Sequence, residues 1–360
     1  MHSAATSRGL PVAIARQAKG WTQNQLAEAA GLSQGYVSKV ESDRTQLETD
    51  GAIAISAALG VPLDLLGVPE QDLGGDLGCI HHRRRRSKIP ASAARTVSAV
   101  TQLSGLTVSR INALTDLSLP AQIDENSPAD PMAAALWLRS AIGNHDEPIQ
   151  SMISLAESLG VRVLRRSLGT NLQDGVSLAR PHDLSLIIVN AGLPGDRERY
   201  TVAHELGHLL MHSMKNNLDV DPAVAEIEAN RFAGALLFPP SVAENELKGL
   251  TARDFKRLFT LKEVWGVSMG ALIEQAKLVG AVNETDHRHL RITLSERGWH
   301  RSEPGTVVND KVVTIPSAVD QLLDLKGLSV PEAAATALMR PETFIRIYMQ
   351  HRVPATDGAK

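Results

Sequence analysis

The sequence predicts a mainly α protein with a small β-sheet, of the α+β class, on three observations. Apolar residues recur at helical spacing through most of the 360 positions. Strand-like runs are few: Val161–Arg165, Asp174–Arg180 and Leu184–Asn190, the last two reading as a hairpin joined through Arg180-Pro-His-Asp183. Near the N-terminus, two short helical patterns flank Gly31 within about two dozen residues. The expected order is an N-terminal five-helix domain (1–67), a Gly- and Arg-rich linker with a long helix (68–131), a central domain (132–281) and a mixed C-terminal domain (282–360).

In the first domain Leu26, Ala27, Leu32, Val37 and Val40 fall at spacings that bury one face of each helix. Gly31 supplies the tight turn, and Ser33 is placed to cap the second helix. This is a helix-turn-helix layout, with a last helix ending at Leu63–Gly67. In that geometry the start of the second helix enters the major groove, so Gln34, Tyr36, Ser38 and Lys39 face bases and backbone. The stretch Trp21–Glu41 resembles the Cro/C1-type, or XRE, DNA-binding domain. The resemblance implies operator DNA as a partner, Gln23 as a phosphate contact and a homodimer reading two half-sites. Charge argues the other way: Arg8, Arg16, Lys19, Lys39 and Arg44 face six acids, so there is no basic excess. A domain that docks a protein is therefore the competing reading.

Val68–Gly78 is Gly-rich and flexible by composition. Beyond it Arg83–Arg86 and Lys88 form a basic run, suited either to a DNA backbone or to a solvated linker. Cys79 with His81 and His82 lacks a second ligand cluster, which disfavours a metal site there. Residues 90–117 have helical period and predict a long connecting helix, broken between Pro120 and Pro131. Helices are expected near 132–142 and 148–159.

The central domain contains His204-Glu205-Leu-Gly-His208 in an apolar run of helical period, a pattern expected by chance roughly 0.02 times in such a chain. Residues four apart share a helix face, so His204 and His208 can bind one ion, with Glu205 reaching a water beside it. Catalytic zinc takes three protein ligands, and Glu226 and Glu228 on the next helical segment are the candidates for the third. One face cannot hold both. Glu226 is favoured because Asn230 follows one turn later, placed to hydrogen-bond the outer nitrogen of a ligand histidine.

This motif, with Glu226-x-Glu-Ala-Asn230-x-Phe232-Ala-x-x-Leu-Leu-Phe238-Pro239, resembles the ImmA/IrrE family of metallopeptidases, which are gluzincins. Phe238 stands where that family usually has Met, a packing change away from the ligands. The resemblance implies Zn2+, endopeptidase activity and a substrate that is another helix-turn-helix repressor or this chain itself. Zinc would bring the pKa of its water to about 7, with Glu205 as base and Tyr200, His182 or His212 as candidate oxyanion donors. His212 lies one turn too far along the helix to share the ion, which suits surface or supporting duty better.

After Pro240 a helical stretch runs to about Ala281, Leu290–Leu294 and Val312–Ile315 read as short strands, and helices near 317–326 and 330–349 close the chain. The segment Gly298–Pro304 identifies no chemistry and is expected to be structural. A net charge of −3 argues against general coating of nucleic acid, and one cysteine suits a reducing compartment. Neither a signal peptide nor a membrane-spanning apolar run is evident, so a cytoplasmic location is expected. Two functions compete: a DNA-binding regulator with a zinc peptidase domain, and a repressor whose zincin domain only senses a ligand or metal.

Overall fold

The computed structural model describes residues 9–74, 80–81, 89–115, 127–180, 184–213 and 220–352. The chain forms two compact units that interleave along the sequence. One comprises Met1–Leu119, Arg162–Asn190 and Val312–Lys360, the other Pro120–Val161 and Ala191–Lys311. Among the described residues no helix is long and apolar enough to cross a membrane.

The first unit begins with α1 (Gly9–Ala18), α2 (Gln23–Ala30), α3 (Gln34–Glu41) and α4 (Thr49–Leu59). Thr22 and Gln25 form a reciprocal capping box at the start of α2. Gly31 ends α2 at φ +67°, where a side chain would be strained, and Ser33 caps α3 by accepting from the Tyr36 N–H at 3.1 Å. Val12, Leu26, Ala27, Val37, Val40 and Ile55 are buried together, with Leu32 partly buried against them. The expected fifth helix is a 3-10 turn, Leu63–Gly67. Pro62 opens it and Pro69 follows closely, leaving too few residues for an α-helix.

Next come β1 (Ile80–His81) and the long helix α5 (Ala91–Ala113). The expected strands appear as β2 (Val161–Arg166), β3 (Gly175–Arg180) and β4 (Leu184–Asn190), in the sheet order β1-β3-β4-β2. β3 and β4 pair antiparallel, Gly175 opposite Val189 and Arg180 opposite Leu184. Helix α5 is apolar on two faces. Ala99 and Leu106 join the helix-turn-helix core, while Val97, Val100, Val108 and Ile111 join Val176, Leu178, Leu186 and Ile188 of the sheet. Thr101 and Ser104 satisfy their buried hydroxyls within the helix, donating to Val97 O and Val100 O, whereas Thr107 donates to Ala337 O at 3.1 Å.

The second unit holds α6 (Pro131–Ala141), α7 (Met152–Ser158), α8 (Gly195–His208) and α9 (Pro222–Leu237). It continues with α10 (Pro240–Glu246), α11 (Phe255–Trp265), α12 (Met269–Leu278) and α13 (Glu284–Glu296). The strand expected at Leu290–Leu294 is part of α13. Leu290 and Leu294, four apart, are buried at 0% and 3%, whereas Ile292 between them is 42% exposed, which is helical rather than strand alternation. Asn283 caps that helix by accepting from the Asp286 N–H at 2.8 Å.

The chain returns to the first unit with α14 (Thr314–Asp320), α15 (Val330–Thr336) and α16 (Pro341–Tyr348). The strand expected at Val312–Ile315 is thus also corrected. Ile315, Ala318 and Val319 are buried at i, i+3 and i+4, and Val313 is 49% exposed. The helix expected over 330–349 is broken at Leu338, which has φ +52°, ahead of Pro341.

Candidate metal centre

The centre is built on α8 and α9, held in place by buried charges at their ends. Asp196 in the first turn of α8 pairs with Lys262 at 2.8 Å, and Lys262 also meets Glu303 at 3.0 Å. Glu303 accepts from the N–H groups of Met269 and Gly270, closing the start of α12. The Gly298–Pro304 segment is therefore structural, as its lack of recognisable chemistry suggested. Burial lowers the Lys262 pKa, but its hydrogen bonds to Asp196 and Glu303 outweigh that and raise it. Arg199, one turn into α8, pairs with Asp310 at 3.2 Å, and Asp310 accepts from Met152 N and Ile153 N at the start of α7. Arg139 of α6 is fully buried and donates from Nε to Leu236 O near the end of α9 at 2.8 Å.

Between these anchors the two helices meet at Gly207 and Phe232. A Cβ on Gly207 would lie 2.9 Å from Phe232 Cδ1, so only glycine permits the approach. It brings His204 Nε2, His208 Nε2 and the Glu226 carboxylate together, their candidate ligand atoms all within 4.8 Å of one another. His204 Nε2 and His208 Nε2 are 3.1 Å apart. Two nitrogens about 2.0–2.1 Å from one tetrahedral ion are separated by about 3.3 Å, so the spacing fits zinc. Glu226 reaches His208 Nε2 at 3.3 Å and His204 Nε2 at 3.7 Å. Burial pushes the Glu226 carboxyl up, but whenever the His204 or His208 ring carries a proton towards it, that hydrogen bond and charge outweigh burial and hold the group well below the usual carboxylate range. Glu205 is buried in the same turn as His204.

The surrounding residues orient the rings. Asn230 Oδ1 lies 3.0 Å from His204 Nδ1 and also accepts from the Tyr200 hydroxyl at 3.2 Å. Tyr200 thus reaches the candidate ligand His204 through Asn230, two hydrogen bonds away. His212 is 1% exposed rather than on the surface, because Leu209–Ser213 widen into a π turn that keeps it packed inward. Its Nδ1 is 3.2 Å from His208 Nδ1, and its Nε2 is 2.9 Å from Glu228 Oε2. Both ring nitrogens are thereby engaged. Burial lowers its pKa, opposed by the hydrogen bond to Glu228. Glu228 does not join the ligand set, yet it does not point away from the site either: the turn of α8 beyond His208 meets it. Spacing alone carried no signal for that contact. His182 lies outside the described residues, as do Cys79, His82 and the basic run Arg83–Lys88.

Across α2 and α3, Gln34 Nε2 donates to Gln23 Oε1 at 3.0 Å, and Gln23 Nε2 donates to Glu41 Oε2 at 2.9 Å. Glu41 is held in turn by Arg16 through Nε at 2.6 Å and Nη2 at 2.7 Å, a bidentate pair. Gln34 and Lys39 are exposed, and Ser38 is half-buried. Tyr36 is half-buried as well, and its hydroxyl accepts from Glu48 N at 3.3 Å.

Four short helices with a capped, glycine-turned pair form a helix-turn-helix module, and a helix pair converging two histidines and a glutamate forms a candidate metal site. Residues 12–66 match the helix-turn-helix family, and residues 156–277 match the M78 peptidase family, described as the IrrE N-terminal-like domain. Over 54 residues, 15% of this chain, the sequence is 41% identical to a hypothetical transcription factor of Neisseria meningitidis serogroup B. The matched stretch covers 51% of that relative, about half its length. The chain thus joins a stretch similar to the helix-turn-helix family, residues 12–66, to a stretch similar to the M78 peptidase family, residues 156–277.

Proposed function

We propose that the protein is a cytoplasmic transcriptional regulator that binds operator DNA as a homodimer and carries a zinc-dependent endopeptidase, whose substrate is a helix-turn-helix repressor or this chain itself. The observation that carries this reading is the convergence of His204 Nε2, His208 Nε2 and Glu226 on one point, with Glu205 in the same turn. His204, His208 and Glu226 would hold the ion, with Asn230 orienting His204. Zinc, when bound, supplies the Lewis acidity that brings the pKa of water to about 7. Glu205 would act as general base towards a water and would return the proton to the leaving amine. The Tyr200 hydroxyl and His182 are the candidates to stabilise the oxyanion; the partners of His212 leave it less suited to that role. Gln23, Gln34, Tyr36, Ser38 and Lys39 form the DNA-facing set, and the Gln23–Gln34 bond pre-orders two of them.

The test compares new protein N-termini, mapped by mass spectrometry, in cells expressing wild type or Glu205→Gln, with zinc content measured in both. Termini found only with wild type support the peptidase and identify substrate and scissile bond together. Their absence under inducing and stress conditions, while both proteins hold zinc, overturns it. A second reading is then preferred, a repressor whose metal domain senses a ligand or metal without turnover. One observation favours it: His204 and Glu205 are 0% and 1% exposed, so the reacting carboxylate has almost no solvent-facing surface.

A further inference from the structure

We propose that Glu228 and His212 are positioning residues that fix the tautomer of His208, and so aim its bare Nε2 at the point shared by His204 Nε2 and Glu226. The inference rests on the metal reading of this site and adds two residues to it. The directions follow from donor and acceptor chemistry. A carboxylate only accepts, so at 2.9 Å from Glu228 Oε2 the proton lies on His212 Nε2. With both rings neutral, His212 presents a lone pair at Nδ1, and the neighbouring His208 Nδ1 at 3.2 Å donates to it. That leaves His208 Nε2 unprotonated. Asn230 Oδ1 makes the same selection on His204 from the other side, at 3.0 Å.

Two nitrogen lone pairs therefore face each other 3.1 Å apart beside a carboxylate, an arrangement that repels itself until a cation occupies it. The two ligand histidines are oriented differently. His204 leans on a neutral amide, whereas His208 is connected through a second imidazole to an anion, which makes His208 the more basic donor. The relay is assembled from two elements. His212 stands on the π turn after α8, and Glu228 on α9 two residues past Glu226, so the two glutamates serve different histidines.

The experiment uses the full chain labelled with 15N at histidine. Long-range proton–nitrogen spectra of the zinc-free protein should show the proton of His208 on Nδ1 and that of His212 on Nε2. Zinc affinity, by competition with a chromophoric chelator, should fall 10–100-fold in Glu228→Ala and less in Glu228→Gln, whose carbonyl still accepts from His212. The urea midpoint of each zinc-free variant separates this loss from simple destabilisation. A proton on His208 Nε2 in the wild type, or wild-type affinity in a folded Glu228→Ala, overturns the relay while leaving the metal reading intact. A wild type that takes up no zinc overturns the metal reading itself. Should Glu228→Ala fail to fold, the wild-type spectrum decides alone.

Discussion

Replacing Gly207 with Ala tests how α8 and α9 are brought together. The added methyl would sit 2.9 Å from Phe232 Cδ1 and 3.3 Å from its Cγ, against an ordinary carbon–carbon contact of about 3.5–4.0 Å. Phe232 is completely buried, so its ring cannot swing into solvent, and the two helices must separate by roughly half an ångström or more. Overpacking of this kind costs about 1–3 kcal/mol, offset by about 1 kcal/mol from the better helix propensity of Ala. The metal-free protein should lose up to about 2 kcal/mol in urea denaturation. Zinc binding should suffer as well, because Phe232 and Glu226 lie on the same helix, and ligand distances tolerate only about 0.2 Å. A loss of at least about tenfold, or ~1.4 kcal/mol, is expected by chelator competition. A variant with wild-type stability and wild-type zinc affinity would refute the claim that this contact sets the site.

Three further outcomes are expected. Lys262→Met leaves Asp196 and Glu303 facing each other without their cation and should cost about 3 kcal/mol, read from the urea midpoint; a neutral result would remove the anchor at the start of α8. Burial raises the Tyr348 hydroxyl to about 12, with Arg166 opposing, so the stability it carries is complete below pH 10 and is lost as pH rises toward 12. That loss is about 3 kcal/mol, and Tyr348→Phe should abolish it in alkaline melting curves. Lys262, also raised, gives the same sign above its ordinary 10.5. Replacing Gln34 and Lys39 together by Ala should abolish a sequence-selective DNA footprint, and one that survives would displace α3 as the recognition helix.

The helix-turn-helix was legible because its signals are local: a glycine that must turn, a serine that caps, and apolar spacings within each helix. His204 and His208 were legible for the same reason, four residues on one helix being one face. The convergence of Glu226 and Asn230 on His204 followed from that periodicity carried to a second helix. What periodicity missed has a physical cause. Glu226 and Glu228 lie on different faces of α9, and only the π turn at Leu209–Ser213 shows that the second face also has a histidine to meet. The strand-like reading of 290–294 and 312–315 came from β-branched residues, whose weak preference yielded to burial at helical spacing. The partners of Glu303 could not be seen either, since Lys262 is 41 residues away.

The two-faced burial of α5 bears on what a cut in this chain could accomplish. Because the first unit is assembled from three separated stretches, scission anywhere within Ala191–Lys311 severs a covalent connection without opening that unit's core. Ala99 and Leu106 would still lie among the N-terminal helices, and Val97 and Ile111 would still lie among the sheet and C-terminal residues. The products would travel together in native size exclusion and part only in denaturant. A cut there would not by itself release the N-terminal helices by dissociation; any effect on them would come from loosening a core rather than from cutting a tether.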